Sequence, residues 1–124
     1  MPKKSYSFDF AIDTKGMATI KVSRLGMVFS AETIRKLQEP KNVMIGIDAK
    51  NGFLGVKPFD ASETGKSFEF CTSDAKKKWI RIKSDKILQK IVEISQIDLA
   101  ETTTFIGNYD EDMGMFLVNL KQHL

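Results

Sequence analysis

The stretch from Thr19 to Pro58 constrains the fold more than any other part of the chain. Its sequence is TIKVSRLGMVFSAETIRKLQEPKNVMIGIDAKNGFLGVKP. Apolar residues at every second position predict a strand over 18–22, and a short apolar run over 27–29 follows the break at Leu25-Gly26. Ser30 is a preferred helix N-cap residue. A helix of about eight residues is therefore expected between Ser30 and Pro40.

A hairpin follows this helix, and the same order of elements returns later in the chain. Asn-Gly at 51–52 favours a tight turn between strands at 43–47 and 53–56. Farther along, apolar patterning predicts strands at 68–72 and 79–83, a helix capped by Ser84 or Asp85 and ending near Ser95, and strands at 103–108 and 115–120. The pair Ile45-Gly46 before the first hairpin turn parallels Ile106-Gly107 before the second.

These patterns predict an α+β fold: a small antiparallel β-barrel-like domain built from two strand–helix–hairpin halves, with two short helices. The halves span 1–60 and 66–124 of a single 124-residue domain, and a short polar linker joins them at 60–65. Alternation over 5–12 also predicts an N-terminal strand whose hairpin partner is the strand at 18–22.

Composition favours a globular protein of the cytoplasm. No apolar run is long enough to span a bilayer or to serve as a signal sequence. Cys71 is the only cysteine, so no internal disulfide can form, and we expect it to be a buried apolar residue. Charge is uneven: residues 1–90 carry 18 Lys and Arg against 10 acids, whereas residues 91–124 carry one Lys against six acids. A basic body of this kind is compatible with a polyanion site or with an ordinary solvated surface.

Signatures of catalysis and of metal or cofactor binding are absent from the sequence. His123 is the only histidine and lies next to the C-terminus, where it is a poor candidate for a base or ligand. The acidic run 110–112 lacks the spacing of a calcium loop. Met17, Met44 and Met115 fall within predicted strands, and we expect them to fill the core. The sequence therefore predicts a protein that is not an enzyme and needs no cofactor or metal.

The strongest candidate for polyanion binding is the basic run that contains the only tryptophan. Lys76, Lys77, Lys78 and Arg81 could neutralise phosphates, and an exposed Trp79 could stack on a base. The alternative is that Trp79 packs inward while the lysines keep a turn or strand edge soluble.

The segment from Ile20 to Leu37 resembles the DNA-binding domain of the AbrB/MazE-type swapped-hairpin regulators. The shared order is Lys21-Val22, Leu25-Gly26, Val28-Phe29 and a capped helix that ends Ile34-Arg35-Lys36-Leu37, followed by a hairpin closed by Lys57-Pro58. The resemblance covers about forty residues, a coverage short of one whole domain. It implies a barrel of two interleaved units whose basic loops and strands contact DNA.

The chain departs from that family's pattern at three places. The family usually has a basic residue after Leu-Gly, where this chain has Met27, and a proline at the start of the helix, where it has Ser30-Ala31. It also has Gly-Asp before the last hairpin, where this chain has Lys41-Asn42. The departure at Met27 is the one that bears on DNA contact. On the resemblance, the basic positions that could still contact DNA are Lys21, Arg24, Arg35 and Lys36. The chain also looks like short proteins of bacterial and prophage genomes.

Two functional hypotheses follow. The first is a non-enzymatic, DNA-binding regulatory protein, related to prophage proteins and acting as a monomeric pseudo-dimer or as a homodimer. The second is a protein-interaction module, such as a small inhibitor or adaptor, which the acidic end of the chain favours. Neither hypothesis requires a membrane.

Overall fold

Eight strands and two helices make up the part of the chain described by the computed structural model, which covers residues 17–60, 62, 65–70 and 79–123. In chain order the elements are β1 (Thr19–Ser23), β2 (Gly26–Phe29), α1 (Ala31–Lys36), β3 (Asn42–Asp48), β4 (Phe53–Pro58), β5 (Ser67–Glu69), β6 (Ile80–Ile82), α2 (Asp85–Ser95), β7 (Thr103–Asp110) and β8 (Met115–Asn119). Each lies within one or two residues of its prediction, apart from β5 and a six-residue α1, which are shorter than predicted.

The strands form one antiparallel sheet that curves into a nearly closed barrel. Their order is β5-β3-β4-β8-β7-β1-β2-β6, and every pairing is antiparallel. Phe70, just after β5, packs its ring edge to face on Phe29 of β2, with 5.2 Å between centroids. This contact joins the two ends of the sheet across the interior, and the expected α+β, barrel-like class is confirmed.

The core lies inside this curved sheet and takes alternate residues from each strand. Ile20 of β1 pairs with Phe29 of β2 and Phe105 of β7, and all three side chains are buried. Leu88 and Ile91 of α2 and Leu37 at the end of α1 are also buried. Side chains at the intervening strand positions therefore face away from this core.

Each helix begins at a serine whose hydroxyl accepts a backbone hydrogen bond, as the sequence predicts. The Ser30 Oγ accepts from the Thr33 N–H at 3.3 Å, and the Ser84 Oγ accepts from the Ile87 N–H at 3.4 Å. The Ser30 Oγ also accepts from the N–H of Thr19 at 2.9 Å. Ser30 therefore fixes the start of α1 against β1.

The hairpins β3–β4 and β7–β8 have turns of the same length and local geometry. Four residues separate Asp48 from Phe53 and Asp110 from Met115, which are the closing pairs. Each aspartate accepts a hydrogen bond at 3.1 Å from the backbone N–H three residues later. Each turn ends in a glycine at positive φ, 77° at Gly52 and 64° at Gly114.

The predicted equivalence of Ile45-Gly46 and Ile106-Gly107 is wrong, because the two pairs differ by one residue in their distance from the hairpin turn. Gly46 lies two residues before the turn aspartate and is exposed, whereas Gly107 lies three residues before it and is buried. Matching the turns aligns Gly46 with Asn108. The two glycines therefore occupy opposite faces of the sheet.

The predicted hairpin between residues 5–12 and the strand at 18–22 does not agree with the pairing of β1. Both edges of β1 are occupied, by β2 over 20–23 and by β7 over 19–22. The strand at 18–22 consequently cannot be the hairpin partner of residues 5–12. Residues 5–12 themselves lie outside the described residues, as does Cys71.

Candidate nucleic-acid interface

Two of the predicted basic residues lie in one row across the outer face of the sheet. Lys21 of β1 pairs with Val28 of β2, which pairs in turn with Arg81 of β6. Their strand neighbours Ile20, Val22, Ile80 and Ile82 are buried, so Lys21 and Arg81 point away from the core and are exposed. Two strand spacings separate them, about 10 Å.

Trp79 lies beside this row and is not packed into the core. The guanidinium carbon of Arg81 lies 5.4 Å from the centroid of the Trp79 ring, within cation–π range, and Trp79 is 39% exposed. Ile80 and Ile82 occupy the inward positions of β6 instead. We call Lys21, Val28, Trp79 and Arg81 the basic–aromatic row.

Arg24 lies at the turn that joins β1 to β2, three residues along the chain from Lys21. Its backbone N–H donates to the Leu99 carbonyl at 3.0 Å, which ties the turn to the segment between α2 and β7. The Arg24 side chain is exposed. Its positive charge therefore lies at the tip of the β1–β2 hairpin, beyond Lys21.

Arg35 and Lys36 occupy the last turn of α1, which begins at the opposite end of the β1–β2 hairpin from Arg24. Both are exposed, and Arg35 donates to the Glu32 carboxylate at 2.7 Å. This ion pair offsets part of the helix's positive charge. The four basic residues predicted from the family resemblance are thus distributed along the β1–β2 hairpin and α1, with Lys21 in the middle of the hairpin.

The remaining predicted site residues, Lys76, Lys77 and Lys78, lie outside the described residues. Within the described ranges no group of three His, Cys, Asp or Glu residues could hold a metal ion, and no helix is long and apolar enough to cross a membrane.

Met27 is buried in the core, so its side chain does not lie on the exposed face that carries Lys21 and Arg81. The Met27 side chain is 0% exposed, and Met27 of β2 pairs with Val22 of β1. The inward orientation is set by strand alternation, since Val28 faces outward. A basic residue at this position of the barrel would be buried, so Lys21 and Arg81 are better placed for contact with a polyanion.

Sequence reasoning missed an apolar trough on the outer face of β3, β4 and β8. Its cavity volume is about 520 Å³, and we define it by Met44, Gly46, Phe53, Gly55, Met113, Met115 and Leu117, with Asp48, Asn51 and Lys57 at its rim. Met44 and Met115 are half-buried here and Met17 is 39% exposed, so the expectation that these three fill the core is wrong. Alternation of Met44, Gly46 and Asp48 on one side of β3 was the available signal.

Searches of protein-family models, curated proteins and solved structures find no match to this chain. The geometry of the basic–aromatic row is therefore the basis for the functional argument.

Proposed function

We propose that the chain is a non-enzymatic nucleic-acid-binding protein of the regulatory kind, and that the basic–aromatic row is its contact surface. The observation that carries the proposal is the lateral register of Lys21 and Arg81 on either side of Val28, with Trp79 beside Arg81. Lysine and arginine neutralise phosphates, and an exposed tryptophan offers a stacking surface for a base. The DNA-binding function and cytoplasmic location that we expect for a protein of prophage type are part of this proposal.

The positions of the basic residues suggest different roles in nucleic-acid contact. Lys21 and Arg81 project from rigid, paired strands, which suits them to hold the phosphate backbone in a fixed position. Arg24 lies at the tip of the β1–β2 hairpin and Lys36 in the last turn of α1, and both would extend the contact along the nucleic acid. Arg35 contributes less charge because of its pairing with Glu32.

We further propose that the fold is a pseudo-repeat, in which one chain supplies both halves of a swapped-hairpin barrel. The shared turn geometry at Asp48 and Asp110, the serine cap before each helix, and the pairing of β2 with β6 and of β4 with β8 support this proposal. In such an arrangement β2 and β6 are equivalent strands. The basic–aromatic row then lies where the two halves meet.

The test is a binding titration by fluorescence anisotropy with labelled duplex and single-stranded DNA at several salt concentrations. We expect affinity to fall steeply between about 50 and 200 mM salt. Lys21→Glu and Arg81→Glu should each weaken binding and lower the slope of log K against log salt by about one. Trp79→Ala should weaken the single-stranded complex more than the duplex complex, because stacking requires an unpaired base.

Lys50→Glu is the matched control, since it makes the same charge change at the exposed β3–β4 turn. It should leave both affinity and salt slope close to those of the parent chain. No binding at about 50 mM salt, or equal losses in Lys21→Glu and Lys50→Glu, would refute the proposed surface.

A further inference from the structure

The outer side of β6 carries a cation that the basic–aromatic row does not include. Ile80 and Ile82 of β6 face the core, and the residues that alternate with them, Trp79, Arg81 and Lys83, are all exposed. Alternation places these three on one side of the strand, with about 7 Å between successive members. An aromatic ring and two cations therefore follow one another along β6, and we call these three residues the β6 track.

Lys83, the residue that follows β6, is held only weakly by its acidic neighbour. Its Nζ lies 4.0 Å from the Asp85 carboxylate, and the two side chains are 59% and 90% exposed. An exposed ion pair at this distance contributes little free energy. Lys83 can therefore exchange Asp85 for a phosphate, although the charge of Asp85 opposes an anion at this position.

The spacing of the β6 track suits an extended single strand of nucleic acid. Successive phosphates of such a strand are separated by about the distance between Arg81 and Lys83, and proteins that bind single strands combine a basic track with aromatic rings on which bases stack. Trp79 is 39% exposed, and the Arg81 guanidinium carbon lies 5.4 Å from its ring centroid. A base stacked on Trp79 would thus lie next to a phosphate held by Arg81.

A duplex fits the same residues less well. Its bases are covered by their stacked neighbours, so Trp79 could stack on one only after that base had left the helix. A duplex groove admits a protruding helix or β-ribbon, whereas the β6 track lies on the outer, convex face of a curved sheet. A duplex would therefore be limited to contacts between the two cations and its phosphates.

We propose that the ligand class of this site is single-stranded nucleic acid, with its backbone along β6, one base on Trp79, and neighbouring phosphates on Arg81 and Lys83. The inference rests on the proposed function. It adds the strandedness of the ligand, the direction of its backbone and a further contact residue, Lys83. Lys21, across β2 from Arg81, flanks this track.

Strandedness is tested by fluorescence anisotropy of the full chain with labelled oligo-dT, oligo-U and a dA·dT duplex, each of about 12 nucleotides per strand. We expect at least one single strand to bind about fivefold or more tightly than the duplex, since one stacked base contributes that factor. The two single strands distinguish DNA from RNA. A smaller preference would overturn the single-strand assignment and leave the proposed function standing, whereas no binding to any probe would refute both.

Lys90 provides a matched control for Lys83. Its side chain is equally exposed, 59%, and its Nζ also lies 4.0 Å from a carboxylate, that of Glu93, but it belongs to α2. Lys83→Gln should lower the slope of log K against log salt for the single strand by about 0.7, the value for one phosphate contact. Lys90→Gln should leave this slope unchanged. Equal slopes in the two variants would overturn the contact at Lys83.

The two neighbouring carboxylates give a test in the opposite direction. Asp85→Asn removes the negative charge beside Lys83 at nearly constant size, so it should tighten single-strand binding about two- to fivefold. Glu93→Gln removes the corresponding charge beside Lys90 and should have a smaller effect. Circular dichroism checks that all four variants are folded. Equal gains in Asp85→Asn and Glu93→Gln, or no gain in Asp85→Asn, would overturn the path of the strand past Lys83.

Discussion

The rings of Phe29 and Phe70 meet edge to face, with 5.2 Å between their centroids and 82° between their planes. Phe70 follows β5 at one end of the sheet, and Phe29 belongs to β2, the neighbour of the strand at the other end. No strand pairing links these two ends in the described part of the chain. The aromatic contact thus links the two ends of the sheet and helps to hold the barrel nearly closed.

Phe70→Ala should destabilise the fold by about 3–5 kcal/mol, because it leaves a cavity where a fully buried ring packed. Urea denaturation followed by circular dichroism measures the loss. Phe53→Ala removes an equal volume from the outer trough, where the ring is only half-buried. Its cost should be well under half that of Phe70→Ala, and equal costs would show that Phe70 does not close the barrel.

The cap serines give a second comparison between the two helices. The Ser30 Oγ accepts from the N–H groups of both Thr19 and Thr33, whereas the Ser84 Oγ accepts a single longer bond from Ile87. Ser30→Ala should cost about 1–2 kcal/mol, near the upper end for an N-cap, because it also leaves the Thr19 N–H without its acceptor. Ser84→Ala should cost less in the same thermal or urea unfolding experiment. The reverse order would contradict this account of Ser30.

The glycines at 46 and 107 should respond in opposite ways to the same substitution. A Cβ at Gly107 would lie 2.4 Å from ring carbons of Phe116, whereas one at Gly46 has open space. Gly107→Ala should therefore cost about 1–3 kcal/mol through overpacking. Gly46→Ala should be neutral or raise stability by about 0.4–1 kcal/mol, since it reduces the freedom of the unfolded chain. Similar effects at both sites would contradict the opposite facing of these residues.

The sequence was sufficient to predict the strands and helices, but not which strands pair with each other or which face of each strand is buried. Period-two alternation and the serine caps located nearly every strand and both helices, because these signals are local. The same signals could not show that β1 has β2 and β7 on its two edges, since pairing depends on contacts distant in the chain. For the candidate site, the family resemblance singled out Lys21 and the basic run singled out Trp79 and Arg81, but neither indicated their common row, which exists only because β6 pairs with β2. The sequence also misassigned Met44 and Met115 to the core, because methionine occurs on either face of a sheet and its presence does not indicate which face is buried.

The turn aspartate Asp48 should make stability depend on pH in the acidic range. Its carboxylate accepts from the Asn51 side-chain amide at 2.7 Å and from the Asn51 backbone N–H at 3.1 Å. These bonds, the side-chain bond foremost, lower the pKa of Asp48 below its ordinary value of 3.8. A carboxyl group with a lowered pKa in the folded state stabilises the fold above its unfolded pKa, and this contribution is lost as pH falls through the folded pKa.

We therefore expect the free energy of unfolding to decrease as pH is lowered from about 5 to 2. Asp48→Asn removes the titrating group, and Asn51→Ala removes the strongest cause of the shift while keeping the carboxylate. Both variants should lose less stability than the parent chain over this range, as measured by urea denaturation at each pH. Because Asp60 has a lowered pKa as well, through hydrogen bonds from Ser62, part of the pH dependence should persist in both variants. A parent-like pH dependence in Asp48→Asn would show that the Asp48–Asn51 bonds do not stabilise the turn.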